Sequence, residues 1–132
     1  FGAPFMPQYP TVYAELLGKK LKKHNAQAWL VNTGWSGGAY GTGERIDLPV
    51  TRRMLTAILD GELKDSDFTP DPNFKILIPR EVPGIETTIL NPKNTWKNQN
   101  AYDMKAKELI KLFKSNFIKY ESFGSYSNAG PD

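Results

Sequence analysis

Apolar side chains recur at helical spacing in three segments of the chain, with polar residues between them. The first segment predicts a helix over residues 11–24, whose lysines fill the opposite face and the last turn. The second predicts a helix that starts near Pro49 and ends at Gly61. The third predicts a long helix over residues 100–120. Its apolar stripe consists of Tyr102, Ala106, Leu109, Phe113 and Phe117.

Short apolar runs bounded by turn residues predict the strands. Residues 28–31, "AWLV", are typical of a buried strand, and "RIDL" at 45–48 and "FKILIP" at 74–79 predict two more. Residues 80–96, "REVPGIETTILNPKNTW", are predicted to be extended, with turns at both prolines. The polar residues 122–132 are expected to form a frayed tail.

These elements predict an α+β fold, with about three helices packed on a small mixed sheet. A chain of 132 residues, 39% of them hydrophobic and 23% charged, is long enough for one domain with a packed core. The sheet is small for so many helices, so several apolar helix faces are expected to need a partner that the chain does not supply. The chain starts at Phe1 without a leader-like segment, so we expect it to be a piece of a longer polypeptide.

Composition excludes several kinds of site. The chain has no cysteine, which excludes a disulfide scaffold and a cysteine-ligated metal, and its one histidine, His24, cannot build a histidine cluster. No apolar run approaches the roughly 18 residues that a membrane span requires. No complete set of catalytic residues is visible. An acidic stretch whose spacing matches no calcium loop consists of Asp60, Glu62, Asp65 and Asp67.

The positive charge of the chain is modest. The formal net charge is +3, and most lysines fall in the helical segments around residues 19–23 and 105–119. We interpret them as solvated helix faces. The alternative is a stand-alone basic module that binds nucleic acid or acidic partners, with an affinity that falls as salt is added.

Residues 34–46, "GWSGGAYGTGERI", hold five of the eleven glycines, and we call them the glycine loop. The spacing from Gly38 to Gly43 matches a phosphate-binding loop, in which Lys and Ser or Thr would follow. Glu44 and Arg45 stand there instead, and "RIDLP" separates the loop from the next helix. A phosphate loop is therefore excluded, because both the cation and the helix N-terminus that hold phosphate are missing.

The loop instead delivers Arg45 onto a short strand. An arginine can stack on a flat ring or donate a fork of hydrogen bonds, while Ile46 offers an apolar face and Thr51 a hydroxyl. Together these side chains could hold an adenine and a ribose. The structural alternative is that Arg45 pairs with a nearby carboxylate and Thr51 caps the following helix.

Several short motifs occur in a fixed order along essentially the whole chain. They are "FGAPF", "WLVNTGW", "G-x-G-x-R-I" with Thr five residues on, "ILDG", "ILNPKNTW" and a late "AGP". Each motif is weak alone, but the ordered set closely resembles the late part of the ATP-dependent phosphoenolpyruvate carboxykinases.

The resemblance implies a function for the longer protein. Members of that family convert oxaloacetate and ATP to phosphoenolpyruvate, ADP and carbon dioxide in gluconeogenesis, with Mg and a transition metal such as Mn. They are several times longer than this chain, so it would be the C-terminal portion of a cytoplasmic enzyme's nucleotide-binding domain, spanning residues 1–132. The phosphate loop, the metal ligands and the oxaloacetate-binding residues would lie upstream. The upstream part of its own chain would be the partner, with no nucleic acid or membrane involved, and the piece alone would be inactive.

The resemblance also assigns residues. Arg45, Ile46 and Thr51 match family positions that line the nucleoside pocket of ATP, and Phe5 matches an aromatic residue near the substrate pocket. No catalytic residue or metal ligand is implied within this chain. The glycine loop is longer than in some members, so the resemblance does not fix its main-chain path near the base.

Overall fold

Four α-helices and two small antiparallel sheets make up the part of the chain that the computed structural model describes, residues 2–124 and 127–131. The helices are α1 (Pro10–His24), α2 (Leu48–Leu59), α3 (Pro92–Thr95) and α4 (Gln99–Phe117). The strands are β1 (Trp35–Ser36), β2 (Glu44–Arg45), β3 (Phe68–Pro70) and β4 (Leu77–Pro79). Single 3-10 turns or short 3-10 segments cover Ala3–Phe5, Thr87–Ile89, Ile118–Phe123 and Ser127–Ala129. The predicted α+β class is confirmed.

The three long helices lie where the apolar periodicity predicted them. Pro10 opens α1 at a position where its missing N–H costs nothing. Asn25 ends α1 in the left-handed conformation, with φ of 47°. The side chain of Asn98 caps α4 by accepting a hydrogen bond of 3.1 Å from the N–H of Ala101. The short α3 was not predicted, because a single turn has no periodicity to detect.

The strands form two separate pairs in place of the one small mixed sheet that was predicted. β1 pairs with β2, and β3 pairs with β4, both antiparallel. The strand predicted at residues 28–31 is absent, because residues 26–33 have no ladder partner among the described residues. "RIDL" contributes only Arg45 to β2, since α2 begins at Leu48.

Part of the predicted tail, at residues 122–132, lies outside the described residues. Ser125, Tyr126 and Asp132 are not described, and neither is Phe1 at the other end. The described part contains the end of the 3-10 segment that follows α4 and the turn Ser127–Ala129. The frayed tail therefore stays a prediction.

The core is small. Its centre consists of Ala57, Leu63 and Val82, against which the partly buried Trp29, Ile58, Ile85 and Leu90 pack. On α4, only Ala106 and Ile110 are buried. Within the described residues, no large side chain is completely shielded from water.

The surface is large for a chain of this mass. Its accessible area is 10501 Å², whereas a compact monomer of 14.9 kDa exposes about 7000 Å². Many large apolar side chains are exposed, as the sequence predicted. They include Val12, Leu16 and Leu17 on α1 and Met104, Leu109, Leu112 and Phe113 on α4. None of the described helices is long and apolar enough to cross a membrane.

Candidate functional site

The glycine loop forms a β-hairpin. Trp35 lies opposite Arg45, and Ser36 lies opposite Glu44, in the two-residue ladder of β1 and β2. The N–H of Ile46 donates a hydrogen bond of 2.9 Å to a carbonyl on the other side of the hairpin. The order is strand, loop and strand, whereas a phosphate loop leads from a strand directly into a helix.

Tight folding of the hairpin explains its glycines. A Cβ at Gly43 would lie 2.5 Å from the carbonyl oxygen of Gly38 and 2.6 Å from that of Ser36. Gly37 and Gly41 have φ of 79° and 87°, which side chains rarely adopt. Gly38 and Gly43, whose spacing matches a phosphate loop, therefore allow two backbone segments of the hairpin to approach each other closely.

Arg45 is the exposed cation of the hairpin. Its guanidinium makes no ion pair with any described residue, so the alternative in which a carboxylate neutralises Arg45 is not found there. Because directly opposite residues of an antiparallel ladder share a face, Arg45 and Trp35 stand on the same side of the hairpin. The side chain is available for a ligand.

Ile46 and Thr51 follow Arg45 and are both shielded. Ile46 is 9% exposed and Thr51 is 7% exposed. The alternative role of Thr51 as a helix cap is wrong, because Asp47 occupies the N-cap position of α2. The Thr51 hydroxyl has no hydrogen-bond partner among the described residues.

Two aromatic residues of the hairpin were not singled out in the sequence. The rings of Trp35 and Tyr40 meet edge to face, with centroids 5.4 Å apart and planes at 82°. Trp35 is 46% exposed and Tyr40 is 87% exposed. Their contact could have been predicted from their positions on either side of Gly37 and Gly38, since a glycine turn brings flanking residues together. They add flat apolar surface beside Arg45.

A cavity of about 820 Å³ lies behind the hairpin, between residues 27–32 and the β3–β4 pair. Its lining is mostly apolar and includes Trp29, Ile46, Met54 and Phe74. Tyr102 also lines it, and burial, followed by the carboxylates of Asp71 and Asp103, raises the pKa of its phenol. Tyr102 therefore stays protonated at neutral pH and can donate a hydrogen bond.

Phe5 is not brought to this site. It lies in the 3-10 turn Ala3–Phe5 and is 85% exposed. It makes no ring contact or side-chain hydrogen bond with the described residues of the hairpin. Arg45, Ile46 and Thr51 are thus close along the chain, but of these three only Ile46 lines the cavity, and Phe5 does not line it either.

The end of α2 is tied to the turn that follows it. Arg53 donates two hydrogen bonds to the carboxylate of Glu62, one of 3.0 Å to Oε1 and a shorter one to Oε2. These bonds from Arg53 lower the pKa of the Glu62 carboxyl. The pair fixes the far end of the helix that carries Thr51.

Metal-binding clusters are absent from the described residues. No group of three or more acidic or histidine side chains is gathered closely enough to hold a metal ion. The described groups that suit a nucleotide are the cation of Arg45, the flat surface beside it and the hydroxyl of Thr51.

Comparisons with known proteins agree with one another. The profile of a family described as phosphoenolpyruvate carboxykinase matches residues 1–88. Phosphoenolpyruvate carboxykinase (ATP) 1 of Moorella thermoacetica is 54% identical over 121 residues, which cover 92% of this chain and 23% of that protein. The phosphoenolpyruvate carboxykinase (ATP) of Brucella anthropi is 52% identical over 122 residues, with the same two coverages. That of Caldanaerobacter subterraneus is 52% identical over 132 residues, covering 99% of this chain and 25% of that protein. The chain thus spans about a quarter of the length of these relatives.

Proposed function

The chain belongs to the phosphoenolpyruvate carboxykinase (ATP) family, and we propose that it forms the nucleoside end of the ATP site in such an enzyme. The observation that carries the proposal is the exposed guanidinium of Arg45, which lies on a β-hairpin and has no ion-pair partner among the described residues. Ile46 and Thr51 follow it directly along the chain.

The proposed contacts follow from side-chain chemistry. A guanidinium is planar and permanently charged, so Arg45 stacks on the adenine ring or donates hydrogen bonds to it. Ile46 supplies an apolar surface for the base. The Thr51 hydroxyl, which has no described protein partner, hydrogen-bonds to the ribose. Phe5 belongs to the substrate side of the site only if the rest of the protein brings it there.

The proposed reaction of the longer protein converts oxaloacetate and ATP to phosphoenolpyruvate, ADP and carbon dioxide. Phosphoryl transfer depends on placing the γ-phosphate in line with the attacking oxygen and on stabilising its charge. Residues at the nucleoside end contribute binding and orientation, far from the bond that breaks. Mg and Mn, held by residues outside this chain, would neutralise phosphate charge. The isolated chain is therefore proposed to be inactive.

The proposed partner is the remaining part of the same polypeptide, to which this chain would present its exposed apolar faces. The excess surface of this chain is roughly 3500 Å², several times the roughly 800 Å² that each partner buries in a standard-size interface. Leu16 and Leu17 on α1 and Leu112 and Phe113 on α4 belong to these faces. The lysines of α1 are exposed, as solvated faces require, and give the basic-module alternative no further support.

A chimeric enzyme tests the proposal. This chain replaces the matching segment of the Moorella thermoacetica relative, and phosphoenolpyruvate formation is measured for the chimera and for the isolated chain. We expect turnover from the chimera alone. Arg45→Ala should raise the KM for ATP by about 10- to 150-fold, as loss of a charged hydrogen bond predicts, while the exposed Arg52→Ala serves as the matched control. An unchanged KM for ATP in Arg45→Ala removes this residue from the site.

A further inference from the structure

One side-chain hydrogen bond joins the glycine hairpin to a distant part of the chain. Ser36 Oγ lies 3.0 Å from Thr95 Oγ1, across 59 positions of sequence, in partly buried surroundings. The next residue, Gly37, is also close to Thr95, since a Cβ there would lie 3.1 Å from the Thr95 carbonyl oxygen. The hairpin and α3 therefore touch through backbone as well as side chain.

The direction of this hydrogen bond follows from a second contact. Thr95 Oγ1 donates a hydrogen bond of 2.8 Å to the carbonyl oxygen of Pro92. A hydroxyl has one proton and a carbonyl can only accept, so the Thr95 proton is already used. Ser36 is thus the donor and Thr95 the acceptor, and the Ser36 hydroxyl is oriented toward α3.

α3 is itself well anchored. The side chain of Asn91 accepts a hydrogen bond of 3.1 Å from the N–H of Lys93 at the start of the turn. Lys93 Nζ forms an ion pair of 2.8 Å with Asp103 on α4. Through Lys93 and Asp103, the segment that contains Thr95 is joined to α4, whereas the loop at 37–43 is glycine-rich.

We propose that Thr95 is a positioning residue that holds the glycine hairpin through Ser36 and so presets Arg45 for the nucleoside. Ser36 lies directly opposite Glu44, the residue before Arg45, so a shift of Ser36 displaces the strand that carries the guanidinium. The inference rests on the proposed role of Arg45 in the ATP site. The proposed function assigns no role to the "NPKNTW" segment. This inference assigns it the positioning of Arg45.

Preorganisation sets the expected effect. When the hydrogen bond between Ser36 and Thr95 is lost, the hairpin must become ordered as ATP binds. The free-energy cost of this ordering lowers the affinity for ATP. A single uncharged hydrogen bond corresponds to about a 3- to 10-fold increase in the KM for ATP. The KM for oxaloacetate should not change, because the anchor acts on the nucleoside end of the site.

The test uses the chimera described above, with Thr95→Val, Ser36→Ala and their combination. Each single variant should raise the KM for ATP 3- to 10-fold, as expected for one hydrogen bond, and the double variant should be no worse than either. Thr95→Ser keeps the hydroxyl and should restore the parental KM for ATP. Additive effects, an equal rise in the KM for oxaloacetate, or failure of Thr95→Ser to restore the KM would each overturn the proposal.

Hydrogen exchange in the 132-residue chain separates this inference from the proposed function. Thr95→Val and Ser36→Ala should both speed exchange across residues 36–46 and leave α4 unchanged, whether or not the chimera turns over. Unchanged exchange in residues 36–46 would refute the anchor even if Arg45→Ala raises the KM for ATP. Faster exchange together with an unaffected KM in Arg45→Ala would keep the anchor and reject the nucleoside role.

Discussion

Gly43 is the residue of the hairpin whose replacement the backbone tolerates least. A Cβ at this position would meet the carbonyl oxygens of Ser36 at 2.6 Å and Gly38 at 2.5 Å, and the Gly38 nitrogen at 2.9 Å. All three are backbone atoms, so no side-chain rotation relieves the clash. Gly43→Ala must therefore push the two sides of the hairpin apart.

The size of the effect follows from the cost of forcing an extra carbon into a packed space. Such overpacking destabilises by about 1–3 kcal/mol. Since about 1.4 kcal/mol corresponds to a factor of ten, the open state of the hairpin should become about 5- to 150-fold more populated. The change concerns the hairpin alone, because local elements open without global unfolding.

The assay is hydrogen exchange monitored by mass spectrometry, read at the peptide that contains Ile46, whose N–H closes the base of the hairpin. Exchange of this amide should accelerate about 5- to 150-fold in Gly43→Ala. The matched control is Gly18→Ala in α1, where a Cβ meets nothing within 4 Å. That variant should stabilise α1 by about 0.5–1 kcal/mol, because alanine favours the helix. If Ile46 exchanges at the parental rate in Gly43→Ala, the steric reasoning is refuted.

Two further predictions concern stability and assembly. The lowered pKa of Glu62 means that its pair with Arg53 contributes stability above the ordinary glutamate pKa of 4.5 and loses it as the pH falls through the lower folded value. The parent and Glu62→Gln should therefore differ in denaturation midpoint by a constant amount near neutral pH, and this difference should shrink below about pH 4.5. Glu15→Gln is the control. A difference that widens in acid would contradict the assignment. Leu17→Asp alters a side chain that is 60% exposed, so the isolated chain should keep its stability within about 0.5 kcal/mol. The same change should lower the melting temperature of the chimera. An unchanged melting temperature would show that this face of α1 stays in water.

Local patterns predicted the helices better than the strands, since the run at 74–79 contains β4 and the run at 45–48 contributes Arg45 to β2, whereas residues 28–31 form no strand. α1, α2 and α4 could be predicted because their apolar spacing and end signals lie within each segment. Residues 28–31 have the composition of a buried strand, yet a strand forms only when another segment offers its backbone. No described segment does so, and the sequence of the run alone contains no information about that partner.

The roles assigned to the candidate site residues stay predictions, but the residues themselves could be selected from the sequence. Arg45, Ile46 and Thr51 follow from side-chain chemistry and from motif order, because they are close together in sequence. The contact of Ser36 with Thr95 could not be predicted from local sequence patterns, since it joins positions 59 residues apart. The start of α2 was also placed too late, because the helix begins at Leu48 with Asp47 at its N-cap position, which leaves Thr51 inside the helix.

The geometry of the hairpin separates loop length from side-chain placement. Its base is fixed by the Trp35–Arg45 pairing, while at the tip a Cβ on Gly41 would meet nothing within 4 Å. Residues added or removed at this tip leave the register of the base intact, so such a loop can differ in length among relatives without displacing Arg45. The exposed Ala39, next to this tip, is for the same reason a suitable attachment point for a fluorescent reporter, which would sense the proposed nucleotide from nearby without replacing a residue proposed to hold it.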